Sequence, residues 1–133
     1  MLEQLSVLDT PTKGITRLTR NSKVFKNIIK AIQEKKGQNI ISLDLRKIPE
    51  AIADFFIICQ APSTTQVKAI ADFIEHHVKE TCDELPYKNE GKASAQWILV
   101  DYVNIVIHIM HPEAYNFYKL EELWSDATIQ KHE

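Results

Sequence analysis

The sequence predicts an α/β sandwich around a mixed sheet of about four or five strands, flanked by helices. Three observations predict it. Apolar residues recur at helical spacing in two separate segments, around residues 24–32 and 67–78. Two short runs of β-forming residues, Ile40–Leu45 and Phe55–Cys59, fall between those segments. The stretch 96–111, QWILVDYVNIVIHIMH, then holds two further apolar runs, Trp97–Val100 and Val103–Met110, joined through Asp101-Tyr102. Strands that read apolar on both faces are normally covered on both faces. A chain of 133 residues makes one compact domain with little to spare, so a partner is expected to cover one face.

Residues 1–21 mix Thr, Pro, Gly and charges without periodicity and read as a flexible N-terminal tail. The folded domain is expected over residues 22–126, with a C-terminal tail over 127–133. Asn21 or Ser22 can cap the first helix. Its stripe is Val24, Ile28, Ala31 and Ile32, widened by Phe25 and Ile29. Lys23, Lys26, Lys30 and Lys35 lie mostly off that stripe. They read as a solvated surface, with ribosomal RNA as the alternative contact. Gly37 is placed to stop the helix. After the strand Ile40–Leu45, Pro49 marks a loop, and Phe55–Cys59 is the second strand. Ser63-Thr64-Thr65-Gln66 fits a capping box, in which the Ser63 hydroxyl accepts from the Gln66 amide and the Gln66 side chain returns to Ser63. The helix that follows carries Val67, Ile70, Ala71, Ile74 and Val78 and reaches about Cys82. Residues 83–95 are polar, with Pro86 and Gly91, and read as a loop. Asp101 and Asn104 flank Tyr102-Val103, as in a tight turn between antiparallel strands. Pro112 suits the first position of a helix, and Leu120–Trp124 a last short one.

No apolar run approaches a membrane span, and the N-terminus lacks a signal-peptide core. Glu3 and Asp9 also argue against a transit peptide, so a cytoplasmic protein is expected. Cys59 and Cys82 sit in apolar periodic segments and read as buried thiols. The net charge of −2 hides an asymmetry. Residues 1–38 carry eight basic and three acidic side chains, or +5; residues 39–133 carry eight and fifteen, or −7. The acidic body should repel naked phosphate and attract a basic partner, such as a ribosomal protein.

Candidate chemistry is thin. His108-x-x-His111 has the residue type for a metal, but strand residues three apart point to opposite faces. His108 is better explained as a packed sheet residue. His76 and His77 diverge on a helix. Ser63 lacks the G-x-S-x-G turn that presents a nucleophile. Asp44, Asp54 and Asp101 lie near strand ends, where a two-metal site needs closely placed carboxylates. Asp44-Leu45-Arg46 instead puts a cation where a second carboxylate would be useful. Three glycines in the whole chain leave no phosphate-binding loop. Trp97, opening a strand after a polar loop, and Trp124 remain. Tryptophan dominates interface energetics when exposed, so the residues describe a binding module without an intact catalytic site, metal or cofactor.

Four ordered motifs between about Ser22 and Asp126 carry a resemblance. They are Ala53-Asp54-Phe55-Phe56-Ile57-Ile58; Ser63-Thr64-x-x-Val67-Lys68-Ala69-Ile70-Ala71; Trp97-Ile98-Leu99-Val100-Asp101-Tyr102, continued by Val106-x-His108-x-Met110-His111-Pro112-Glu113; and Tyr118-x-Leu120-Glu121-x-Leu123-Trp124. Together they resemble the ribosomal silencing factor RsfS, or Iojap, family. The resemblance implies a nucleotidyltransferase-like core without its catalytic residues. It implies binding to the large ribosomal subunit through large-subunit ribosomal protein fourteen, steric exclusion of the small subunit, and repression of translation. Homodimers are also implied. Trp97, Leu99, Asp101 and Tyr102 match the motif expected to touch the ribosomal protein. Asp54, Ser63, Lys68, His108, Glu121 and Trp124 match motifs without an assigned role. The approach to Trp97, Gly91-Lys92-Ala93-Ser94-Ala95-Gln96, departs from the family's usual pattern. The alternative function is a metal-dependent, nucleotidyltransferase-like enzyme, which would turn over nucleotides through Asp54.

Overall fold

In the computed structural model, which describes residues 11–133, the elements run α1 (Pro11–Glu34), β1 (Gln38–Asp44), β2 (Phe55–Gln60), α2 (Thr64–Cys82), β3 (Lys88–Glu90), β4 (Trp97–Asp101), β5 (Ile105–Met110), α3 (Pro112–Tyr118), α4 (Leu120–Leu123) and β6 (Thr128–His132). The strands form one sheet of six in the order β3-β4-β5-β2-β1-β6. β2 and β5 are parallel, and the other neighbouring pairs are antiparallel.

Side chains alternate between the two faces along each strand. Ile57, Cys59, Ile98, Val100, Ile105, Ile107 and Ile109 point to the face covered by α1 and α2, where they meet Val24, Ile28, Ile32, Ile70 and Ile74. Phe56, Ile58, Val106, Met110 and Leu43 point to the other face. There the cover is thinner: buried Leu120, the loop around Ile48 and Ala51, and half-buried Trp97, Leu99, Tyr115 and Trp124. All six residues of β5 are buried. The continuous apolar run in the sequence thus marks a strand with both faces covered.

The structure has two more strands than the lower expectation, and both lie at sheet edges. β3 is three exposed polar residues inside the expected loop 83–95, and β6 occupies the expected C-terminal tail. Neither shows apolar alternation; backbone pairing with β4 and β1 defines them. At the other end α1 starts at Pro11, so residues 11–21 are helical rather than tail, and Asn21 and Ser22 lie inside the helix. Proline at a first helical position costs no hydrogen bond, which makes Pro11 a suitable start. The expectation for residues 1–10 lies outside the described residues.

Two local expectations need refinement. The left-handed residue after α1 is Lys36 (φ 65°), one before Gly37. The Gly37 N–H donates to Ile32 O at 2.9 Å, and a Cβ on Gly37 would lie 2.3 Å from Ile32 Cγ2. Glycine is therefore needed there for close approach to the helix it follows. At α2 the Gln66 N–H donates to Ser63 Oγ at 3.1 Å, as expected. The Gln66 side chain does not return to Ser63 but donates to Lys35 O at 3.4 Å, tying the start of α2 to the end of α1.

Candidate protein-docking face

Alternation along β4 puts Trp97, Leu99 and Asp101 half-buried on the thinly covered face and Ile98 and Val100 fully inside the other. In the antiparallel register Leu99 faces His108 and Trp97 faces Met110. The Trp97 side chain leans diagonally across that pair, and its Nε1–H donates to His108 Nδ1 at 3.0 Å.

An indole nitrogen only donates, so His108 Nδ1 must accept and its ring proton must sit on Nε2. His108 is 4% exposed, and burial pushes its pKa down to about 4. The neutral ring needed for this bond is thus the stable form near neutrality. Among the described residues Nε2 has no hydrogen-bond partner; the Phe56 ring stands edge-on to the imidazole at 4.7 Å between centroids. Trp124 stands edge-on to Phe56 at 6.0 Å. On its outer side Trp97 packs against Tyr118 at 4.7 Å, and Tyr118 against the exposed Phe117 at 4.8 Å.

α3 and α4 hold the outer aromatics in place. His111 caps α3, its Nδ1 accepting from the Glu113 N–H at 3.2 Å. The Tyr115 hydroxyl donates to the Glu121 carboxylate, bridging the two short helices. Desolvation, with Glu121 alongside, pushes the Tyr115 pKa up to about 12, so it remains the donor. The result is a surface of Trp97, Phe117 and Tyr118 on a floor of His108, Phe56 and Trp124. It presents aromatic area with a few fixed polar groups.

The sequence-predicted residues do not all converge. Trp97 and Leu99 share the face, and His108, Glu121 and Trp124 support it from beneath and beside. Asp101 turns its carboxylate to the chain itself, Oδ1 accepting from the Val103 N–H at 2.7 Å. Tyr102 is a correction: it is 9% exposed and packs in the core beneath α1 and α2, on the opposite side of the sheet from Trp97. One step along a strand reverses the face, and the expected W-x-L-x-D-Y surface crossed that step. Val103, in the turn expected between the two strands, is exposed. Ser63 caps α2, and Lys68 is exposed on that helix, in the layer across the sheet from Trp97. Asp54 immediately precedes β2, its backbone N–H donating to Asn104 O at 2.9 Å. Phe117 and Tyr118 were not singled out as site residues, although an aromatic pair closing the short helix after Pro112 was visible.

The remaining chemistry-bearing residues are engaged locally. The Arg46 guanidinium meets Asp44 through Nε (2.9 Å) and Nη2 (2.7 Å) and holds its carboxyl below the usual range. Cys59 is buried, with its thiol pushed up to about 12; neither cysteine is in a disulfide. Among the described residues, no three His, Cys, Asp or Glu gather where they would hold a metal ion.

The family model described as "Ribosomal silencing factor during starvation" matches residues 19–133. The chain is 35% identical over 107 residues to the ribosomal silencing factor RsfS of Halalkalibacterium halodurans, covering 80% of this chain and 90% of that protein. It is 37% identical over 106 residues to the RsfS of Bacillus subtilis, covering 80% and 88%. Its fold is similar to a crystal structure of a Chromobacterium violaceum protein, with a TM-score of 0.73 and 33% identity over 78% of this chain and 85% of that one.

Proposed function

The chain belongs to the RsfS family of ribosomal silencing factors, and from that premise we propose that it binds the large ribosomal subunit through large-subunit ribosomal protein fourteen. Bound there, it stands where the small subunit must dock and so represses translation. The observation that carries this reading is the half-exposed Trp97, locked by His108 and Tyr118 on the thinly covered sheet face. A fixed aromatic anchor binds without the entropy loss of ordering a free side chain. Leu99 extends the contact, and the acidic body favours a basic, RNA-binding protein.

Steric exclusion requires affinity and bulk, with no bond made or broken. The protein accordingly acts without catalysis or cofactor, in the cytoplasm with the ribosomes. No described helix is long and apolar enough to cross a membrane. Homodimerisation of the free protein, and a minor contact of exposed Lys23, Lys26 and Lys30 with ribosomal RNA, complete the proposed partners.

Co-sedimentation with purified large subunits tests the proposal. Wild-type protein should pellet with them and reduce their joining to small subunits. Trp97→Ala should weaken binding by more than tenfold, the loss typical of a central aromatic anchor. Failure of wild-type protein to pellet would remove the function; undiminished binding by Trp97→Ala would remove the anchor.

A further inference from the structure

The helix side of the sheet is not covered out to its β6 edge. In the strand register Ile57 on β2, Ser42 on β1 and Gln130 on β6 stand side by side. That row passes from a fully buried apolar residue to a small hydroxyl and then to an exposed amide. The helix layer therefore buries Ile57 and leaves Gln130 open. Above the row, Ser22, Phe25, Lys26 and Ile29 are three and four residues apart, so they share one flank of α1. Between that flank and the β6 edge lies a cavity of about 530 Å³, within the usual size of small-molecule sites.

Its apolar lining is Ile29 with the half-buried rings of Phe25 and Phe55, which meet edge to face at 5.2 Å. His132 adds a third ring 5.8 Å from Phe25, and its Nε2 is fixed by Ser42 Oγ at 2.8 Å. Burial lowers the His132 pKa, which keeps this ring neutral near neutrality. Three charged side chains line the same cavity: Lys26, Arg46 and Asp54. Arg46 is already neutralised by Asp44, through Nε at 2.9 Å and Nη2 at 2.7 Å. Asp54 reaches Arg46 only as a longer-range charge. Among the described residues, neither the Lys26 ammonium nor the Asp54 carboxylate has a hydrogen bond or an ion pair. One cation and one anion thus stand on different walls of an aromatic cavity, each without a partner.

We infer that this cavity binds a free α-amino acid with an aromatic side chain. Lys26, on the α1 flank, takes the carboxylate, and Asp54, just before β2, takes the ammonium. Phe25 and Phe55 receive the ring. An aromatic acid or an aromatic amine would match only one of the two charges and leave the other without a partner. A zwitterion also carries no net charge, as does the lining once Arg46 is counted with Asp44. Ser22 and Gln130 offer further polar groups at the rim. The cavity lies across the sheet from Trp97, so its ligand does not compete with a partner bound to the Trp97 face.

Titration of the isotope-labelled full chain, followed by backbone-amide shifts, tests this. The probes are L-phenylalanine and three compounds that each lack one feature: 3-phenylpropionate (no ammonium), phenethylamine (no carboxylate) and glycine (no ring). L-Phenylalanine should move the amides of α1, the start of β2 and β6, and the other three should bind at least about tenfold more weakly. Lys26→Met should raise the Kd for L-phenylalanine about tenfold without weakening phenethylamine. Asp54→Asn should raise it similarly without weakening 3-phenylpropionate. Gln130→Trp, on the exposed edge strand, should fill the cavity and abolish binding. Absence of shifts with millimolar L-phenylalanine would overturn the site, as would shifts that survive all three substitutions. Equal binding of 3-phenylpropionate or phenethylamine would overturn the amino acid as its ligand.

Discussion

The pair Trp97 and His108 joins stability to presentation in a single hydrogen bond. Replacing His108 with Phe leaves the Trp97 Nε1–H without its acceptor, at a cost of about 1–3 kcal/mol. Trp97 emission should shift to the red as the indole loses its fixed position, and His108→Gln should recover part of both effects. The pH dependence follows from the lowered pKa of about 4 against an ordinary 6.5. The unfolded chain takes up the proton first, so the contribution is complete above pH 6.5 and is lost as pH falls toward 4. Urea melts across that window should lose about 3 kcal/mol in wild type and much less in His108→Gln. At this scale the sequence was half legible. A tryptophan opening a strand and a histidine too isolated for metal chemistry could both be read. Their bond could not, because it depends on a hairpin register that joins residues eleven apart in the chain. Tyr102 shows the converse: strand alternation was readable, and the motif grouping overrode it.

Elements were legible where they bury something. α2 announces itself through its stripe and its cap, and Ser63→Ala should cost about 1 kcal/mol in a denaturant melt while leaving large-subunit binding intact. β4 and β5 declare themselves by apolar content. β3 and β6 bury almost nothing and gave no such signal. Yet β6 covers the outer edge of β1, and Ser42 Oγ and His132 Nε2 share a hydrogen bond at 2.8 Å. Truncation after Ala127 should therefore lower the urea midpoint and raise self-association, measured by light scattering, because a bare strand edge invites pairing with other chains.

The molecule as a whole divides into a two-helix layer, a sheet and a thin aromatic layer. The sheet and helix layer form the stable part. Ile107 is fully buried at the centre of β5, and Ile107→Ala should cost about 2–5 kcal/mol in a denaturant melt. The aromatic layer is where the protein can offer surface without losing its core. This division was visible in outline, as a chain with more apolar strand than cover. Which side stays thin was not visible, because it depends on both long helices packing on the same face.

The antiparallel pairing of β6 with β1 has a temporal consequence. β1 is translated well before the strand that closes its open edge, which comes from residues 128–132, after all the other strands. While the chain is still being synthesised, that flank of the sheet remains unpaired, however well the central strands have assembled. Completion of the sheet thus waits until residues 128–132 have emerged from the ribosome.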